Sequence, residues 1–527
     1  MNRERNARSL VAIALLLTSL TVLLSSRSPA AAVPSSQVED LASGQVPEVT
    51  EWPQLQHDST HSGYSDDSVF SNPSPNQLLS LRWKVALGER VEYTAQPIAA
   101  AGRVFLGVTN GRFHAFDALT GQPAWSYATG DAVVATAGYA NGLVFFGSTD
   151  GYVYALNASN GSLAWRYQTG GPVWSSPAVV NGQIYIGSFD GYLYALNAAT
   201  GSLTWRYNAG AKVISSPAVG NNRVYFGAED VRAYALDASS GALIWSHQLN
   251  GVNMRGTVPV LHIASNTVIF QTMKPGRRTY RPEDDLIQFA GQTGVQLWNN
   301  YYQAYPERQH LYFLDAATGQ DKWNPATQRY VPMPMTYWNF LIPLTDPQGR
   351  AYVVASGGGG DGGLDNDQRL WQVNLFDGTV TQLASQNEFM HIFSETGQHT
   401  LVGNYYYTTM DADVGVYDTV NRTRWALFGR PYASHALSTH KDPMDLPGPP
   451  PGSVFLAHYG CIWPAGCNMA SSSFTVANGM GYYTSYSYLY AVSPTAGTPA
   501  TWDVSAPPPT PPPPVPDPVG ELNNQVA

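Results

Sequence analysis

Residues 151–170 read GYVYALNASNGSLAWRYQTG, and residues 191–210 repeat them as GYLYALNAATGSLTWRYNAG, displaced by 40 positions. The tryptophans keep the same beat. They fall at Trp125, Trp165, Trp205 and Trp245, with Trp83 leading and Trp323 following after a longer interval. A period near 40 with four short strand signals per unit is what a propeller blade requires, because each small sheet must stack on its neighbours to bury both faces.

Within residues 214–248 the strand signals are 214–219, 223–227, 233–236 and 243–247, called A to D. Between B and C sit Asn110-Gly111, Asp150-Gly151 and Asp190-Gly191, whose ready access to positive φ suits two-residue hairpins. Between C and D, Asp117, Asn157, Asn197, Asp237 and Asp315 offer Asx turns, and Gly121, Gly161, Gly201, Gly241 and Gly319 supply a left-handed position. Four looser units follow at 267–323, 351–383, 401–425 and 479–502. Eight hairpins predict an all-β, eight-bladed β-propeller with tryptophan-docking repeats. The strand around Trp83 precedes the first hairpin and is expected to pair with the last blade, closing the ring and removing exposed sheet edges.

Composition agrees with many short strands. Aromatics make up 12% and charged residues only 13%, with 49 glycines, which excludes a coiled coil or a disordered chain. The net charge of −10 lacks the basic footprint that phosphate binding needs, so no nucleic-acid partner is expected. The apolar run 10–24 follows Arg3, Arg5 and Arg8 and precedes Ala30-Ala31-Ala32, the pattern of a secretory signal peptide over 1–32. It falls short of the roughly 20 residues of a membrane-spanning helix. No transmembrane anchor and a secreted or extracytoplasmic location are therefore expected, with a linker at 33–50, the propeller at 51–505 and a Pro-rich tail at 506–527.

The spacing Ala, two on Asp or Asn, four on Gly, four on Trp recurs as Ala115/Asp117/Gly121/Trp125, Ala155/Asn157/Gly161/Trp165, Ala195/Asn197/Gly201/Trp205 and Ala235/Asp237/Gly241/Trp245. It resembles the tryptophan-docking repeat of the PQQ-like eight-bladed propellers. That superfamily holds quinoprotein dehydrogenases and the non-catalytic propeller of the bacterial outer-membrane β-barrel assembly machinery. The opening Trp52-Pro53-Gln54-Leu55-Gln56-His57-Asp58, followed by His61-Ser62-Gly63, looks like the lead-in of its secreted members. The later units depart from the pattern: Phe313 stands for Ala, Gln382 for Trp, Trp425 comes one residue early and Trp502 one late. Since fold does not fix function, the resemblance leaves scaffold and enzyme both open.

In a propeller the D–A and B–C connections leave one face and the A–B and C–D turns the other. The long connections 273–309, 324–335, 356–368 and 429–467 all belong to the first face, whereas the other keeps short turns such as Asn181-Gly182. Loops on a rigid scaffold commonly carry binding. The A-strand starts open there too, offering Glu92, Asp131, Trp174, Lys212, Asn253, Arg255, Trp338, Asn339 and His391 as a funnel mixing aromatic, charged and amide groups.

Other candidates weigh less. Cys461 and Cys467 are the two cysteines of an exported chain and are expected to form a disulfide closing a short loop. Asp361, Asp365 and Asp367 offer hard oxygen ligands for calcium without EF-hand spacing, and also read as a solvated glycine-rich turn. His435, His440 and His458 match no compact zinc motif. The run 298–305, WNNYYQAY, joins flat aromatics to amides that suit a sugar, or packs its loop on the rim. No GxSxG or HExxH supports a hydrolase. The expectation is a binding or assembly scaffold for a protein or glycan without a cofactor. One alternative is a PQQ- and calcium-dependent dehydrogenase, against which stand the lack of adjacent cysteines and of a haem-attachment motif; a second is a glycan- or polymer-binding propeller.

Overall fold

The computed structural model describes residues 51–73, 79–92, 95–251, 253–254, 257–272, 300, 304–305, 309–322, 342–356, 368–384, 399–410, 413–428, 474–485 and 487–494. They form eight antiparallel sheets in chain order. Blade one holds Ile98–Ala100, Arg103–Gly107, Arg112–Asp117 and Pro123–Ala128, and blades two to four repeat that A-B-C-D meander through Leu243–Gln248. Blade five has Val260–His262, Thr267–Gln271 and Leu311–Asp315. Blades six and seven run from Leu344–Thr345 to Val380–Ala384 and from Thr400–Val402 to Thr423–Phe428.

Blade eight, Thr475–Ala477, Met480–Ser485 and Tyr488–Pro494, takes its outermost strand from the other end of the chain. Leu79–Ala86 pairs antiparallel with Tyr488–Pro494, placing Trp83 opposite Ala491. The same cross-strand pair recurs as Trp125 with Ala115, Trp165 with Ala155, Trp205 with Ala195 and Trp245 with Ala235. The expected closure of the ring is thus present. Trp425, though one residue early, still stands opposite Val416, so the shorter turn keeps the register.

Each docking tryptophan reaches into the following blade. The Trp125 and Trp165 indoles donate to the Ala158 and Ala198 carbonyls at 2.9 Å, and Trp83, Trp205 and Trp245 make the same bond to Ala118, Ala238 and Ala316. The ring lies flat on a glycine: at Gly161, whose φ is +73°, a Cβ would stand 2.6 Å from Trp125. Glycine therefore serves twice, for its left-handed backbone and for the close approach of the indole.

The A strands are shorter than the sequence suggests, Ala218–Gly220 rather than 214–219. Pro217 has no N–H to give a ladder, and the residues before it bond across blades instead. The amide of Gln96 donates to the Thr136 hydroxyl, that of Thr136 to Ser176 and that of Ser176 to Ser216, at 2.8, 3.0 and 2.8 Å, each one repeat apart.

The axis is filled by the lead-in. The A strands of neighbouring blades meet around the centre, and residues 52–67 run past them in ring order. Trp52 bonds Ala99, Pro53 O accepts from Tyr139, and the Gln54 side chain pairs with Val179. Ser59, Thr60, Ser62 and Gly63 then accept from Val219, Leu261, Thr345 and Leu401. Tyr64–Ser65 adds a parallel strand beside Thr400–Val402, and Asp67 Oδ2 accepts from Gly479 of blade eight. One segment thereby satisfies an inner-strand amide on each of blades one to seven and the Gly479 turn amide on blade eight, groups that would otherwise face the axis unpaired. Gln56, His61 and Asp67 are buried within it.

Candidate functional site at the loop-bearing face

The strands bounding the long connections fix where these leave. Gln271 pairs with Leu311 and Ser356 with Gln368, both at B–C ends. The D–A connections after Ala384 and Phe428, and the one leading to Leu344, begin or end at the same face. Apart from residues 300, 304, 305 and 309 and their bounding residues, the connections lie outside the described residues, as do Arg255, Trp338, Asn339, His391, Asp361, Asp365, Asp367, Cys461, Cys467 and residues 1–50 and 495–527.

The turns at this end form a regular scaffold. Asp150, Asp190 and Asp230 open the B–C turns of blades two to four and accept from the Tyr154, Tyr194 and Tyr234 hydroxyls at 2.6, 2.5 and 2.6 Å. Burial, and then the bond to the aspartate, push all three phenols well above their ordinary value. These carboxylates hold the turns. The residue just before each aspartate, or before Asn110 in blade one, donates its amide to the A-strand approach of its own blade: Thr109 to Arg90 O, Thr149 to Ala132 O, Phe189 to Pro172 O and Glu229 to Lys212 O.

That equivalence sorts the sequence candidates. Arg90, Ala132, Pro172 and Lys212 share one position, and Glu92, Val134, Trp174 and Ile214 stand two residues further on. The structure brings Trp174 and Lys212 together around a residue the sequence reading missed. The Trp174 and Phe189 rings lie 5.1 Å apart at 42°, and the Lys212 ammonium sits 5.2 Å from the Phe189 ring and 3.9 Å from Glu229 Oε2. The signal was present. Thr109 and Thr149 give way to Phe189 and Glu229 at one repeat position, and a departure from a repeat on a loop-bearing face marks a place freed from the common turn chemistry.

The remaining described candidates are separate. Glu92 faces Arg90 at 3.6 Å in blade one. Asp131 is exposed, with its carboxylate on the amide of Ala132 and its carbonyl accepting from Thr129 and Ser148, so it braces the turn. Asn253 is half-buried between blades four and five, beside Met254, whose thioether packs on Gly227. Among the described residues no three of His, Cys, Asp and Glu gather as metal ligands, and Arg90 and Lys212 each already face a carboxylate. The described part of the funnel presents an aromatic pair beside a partly exposed, carboxylate-paired cation, a surface suited to contacting a side chain or sugar face.

A family model described as outer membrane protein assembly factor BamB matches residues 76–176 and 169–309. No curated protein matches the sequence. Among solved structures, the quinohemoprotein alcohol dehydrogenase ADHIIG from Pseudomonas putida HK5 superposes with a TM-score of 0.54 at 15% identity, covering 90% of this chain and 84% of that one. A europium-containing methanol dehydrogenase gives 0.50 at 13% identity, covering 72% and 85%. BamB from Moraxella catarrhalis gives 0.48 at 14% identity, covering 79% and 100%. The likeness to the two dehydrogenases is one of fold. The fold is compatible with a binding or assembly scaffold and with a quinoprotein role.

Proposed function

We propose that this chain, an eight-bladed PQQ-like β-propeller, is an exported binding or assembly scaffold that presents its loop-bearing face to a protein or glycan. The observation that carries the reading is the asymmetry of the ring. The long connections of blades five to eight leave one face, while the axis is filled from the other by residues 52–67, so a ligand has access from the loop side. Trp174, Phe189, Lys212 and Glu229 form the core of the contact surface, with Glu92, Asn253, Arg255, Trp338, Asn339 and His391 as further contributors. Pairing of Lys212 with Glu229 favours a partner that meets a cation and an anion side by side over a small polyanion.

A photo-crosslinking residue placed at Phe189 in the producing cell, compared with one at Ala199 on the opposite face, tests the reading. Adducts to a protein or glycan from position 189 and none from 199 are expected, and the reverse pattern would overturn it. A parallel assay decides between scaffold and enzyme. The purified chain, mixed with PQQ and calcium, is followed for reduction of an artificial electron acceptor with alcohols and aldose sugars. No turnover is expected; sustained turnover abolished by a chelator would establish the dehydrogenase reading instead.

A further inference from the structure

The exposed large apolar side chains among the described residues are unevenly distributed. Leu119, Phe376 and Val420 sit in C–D turns, and Leu163, Leu203 and Leu243 begin D strands just after such turns. The rest likewise lie in A–B turns, in the lead-in or in the first half of outer strands, so the whole set faces away from the loop-bearing side. Three of them flank the junction of blades eight and one: Val69 at 43% exposure, Leu81 at 37% and Leu119 at 73%. Val69 lies over Gly479 in the A–B turn of blade eight. Leu81 stands two residues before Trp83, whose indole docks against the carbonyl of Ala118, the neighbour of Leu119.

The chain leaves the ring at this junction. Pro494, the last described residue, pairs with Leu79, two positions from Leu81. Thirty-three residues follow, ending in a stretch that includes PPPTPPPPVPDPV over 507–519. A proline-rich segment is held near polyproline II by its own rings, so it loses little entropy on docking against an apolar surface. The twelve residues 495–506 reach up to roughly 40 Å when extended. The segment 507–519 carries a single charged residue, Asp517, and the C–D turn of blade one, residues 118–122, carries none.

We propose that the proline-rich segment 507–519 packs back on the blade eight to blade one junction, over Val69, Leu81 and Leu119, and covers the apolar face of its own propeller. The proposal is independent of what binds the loop face. Tethering supplies an effective concentration of about 1 mM, so the free segment need bind only with a Kd below that value.

The test compares the intact chain with one ending at Ser505, probed with a synthetic peptide of residues 507–519 by NMR titration. The peptide is expected to bind the shortened chain with a Kd below 1 mM, at least twofold more weakly to the intact chain, and not measurably to a shortened Leu81→Asp/Leu119→Asp variant. These are exposed positions, and an unchanged Tm shows the variant folded. A hydrophobic dye should brighten severalfold more on the shortened chain than on the intact one. Equal peptide binding to intact and shortened chains, no binding to either, or binding untouched by the two aspartates would overturn the proposal, including the case in which the face is covered by a second copy.

Discussion

The Gln54 side chain pairs with Val179 as a neighbouring strand would: its Oε1 accepts from the Val179 amide at 2.9 Å while its Nε2 reaches the Val179 carbonyl at 3.4 Å. One hundred and twenty-five residues separate them, so the contact exists only once three blades stand around the axis. Replacing Gln54 with Ala leaves a buried amide unpaired and is expected to cost about 1–3 kcal/mol in denaturant unfolding. A cost indistinguishable from that of a surface substitution would show that the lead-in is not seated in solution.

Gly63 gives a sharper test of the same seating. Its φ is +64°, and a Cβ there would lie 2.3 Å from Leu344 Cδ2. Gly63→Ala is expected to destabilise by about 2–4 kcal/mol, from left-handed backbone cost and overpacking together. Gly142→Ala, also at positive φ but with open space around it, should lose only the backbone part, and equal losses at both sites would refute the packing argument.

The docking geometry predicts a uniform response. Trp165→Phe removes the bond to Ala198 O and should cost about 1–2 kcal/mol, with a like effect for Trp125→Phe and Trp205→Phe because distances and neighbours repeat. Thermal unfolding of the three variants checks this, and a spread much wider than 1 kcal/mol would mean that the blades are not equivalent.

Acid should loosen the ring from its centre. Burial pushes the His399 imidazole down to about 3, where it bonds the Tyr406 hydroxyl at 2.6 Å, and burial also lowers His61 despite its bond to Pro259 O. His399 stays neutral in the folded chain, whereas the unfolded chain takes up its proton near pH 6.5. The unfolded state then binds more protons, so stability falls as pH drops below that value, by about 1.4 kcal/mol per pH unit for His399, and His61 adds loss of the same sign. Asp58 adds loss of the same sign lower down. Burial would raise its carboxyl, but the hydroxyl bonds from Ser62 and Thr60, with the His57 ring 3.7 Å away, outweigh it and hold the group far below the usual carboxylate range. Denaturant unfolding from pH 7 to pH 4 should show this slope, reduced in His399→Gln; a flat profile would contradict it.

At the loop-bearing face, Lys212→Ala and Phe189→Ala are expected to reduce crosslinking at neighbouring positions severalfold while moving Tm by no more than about 2 °C, since both side chains are partly exposed. Substitution of Asp190 should instead lower Tm, because its carboxylate holds Tyr194 and the Gly170 amide. Loss of stability at Lys212 with crosslinking intact would make the cluster a structural one.

The sequence by itself determined the ring. The forty-residue period, the Asx and glycine positions and the tryptophan beat are local signals, repeated until they add up to eight blades, and Trp83 before the first hairpin already implied closure. It also showed which face carries the long connections, because an antiparallel meander assigns every turn to one end or the other. Tertiary structure decided what lies on the axis and what meets at the funnel. Residues 52–67 carry no periodic pattern, since each contacts a different blade, and such pairings become legible only when the ring is formed. Phe189 and Trp174 belong to different turns of one blade, and Lys212 comes from the approach to the next. Their meeting follows from the radial stacking of sheets, which places side chains fifteen and twenty-three residues apart within one cluster.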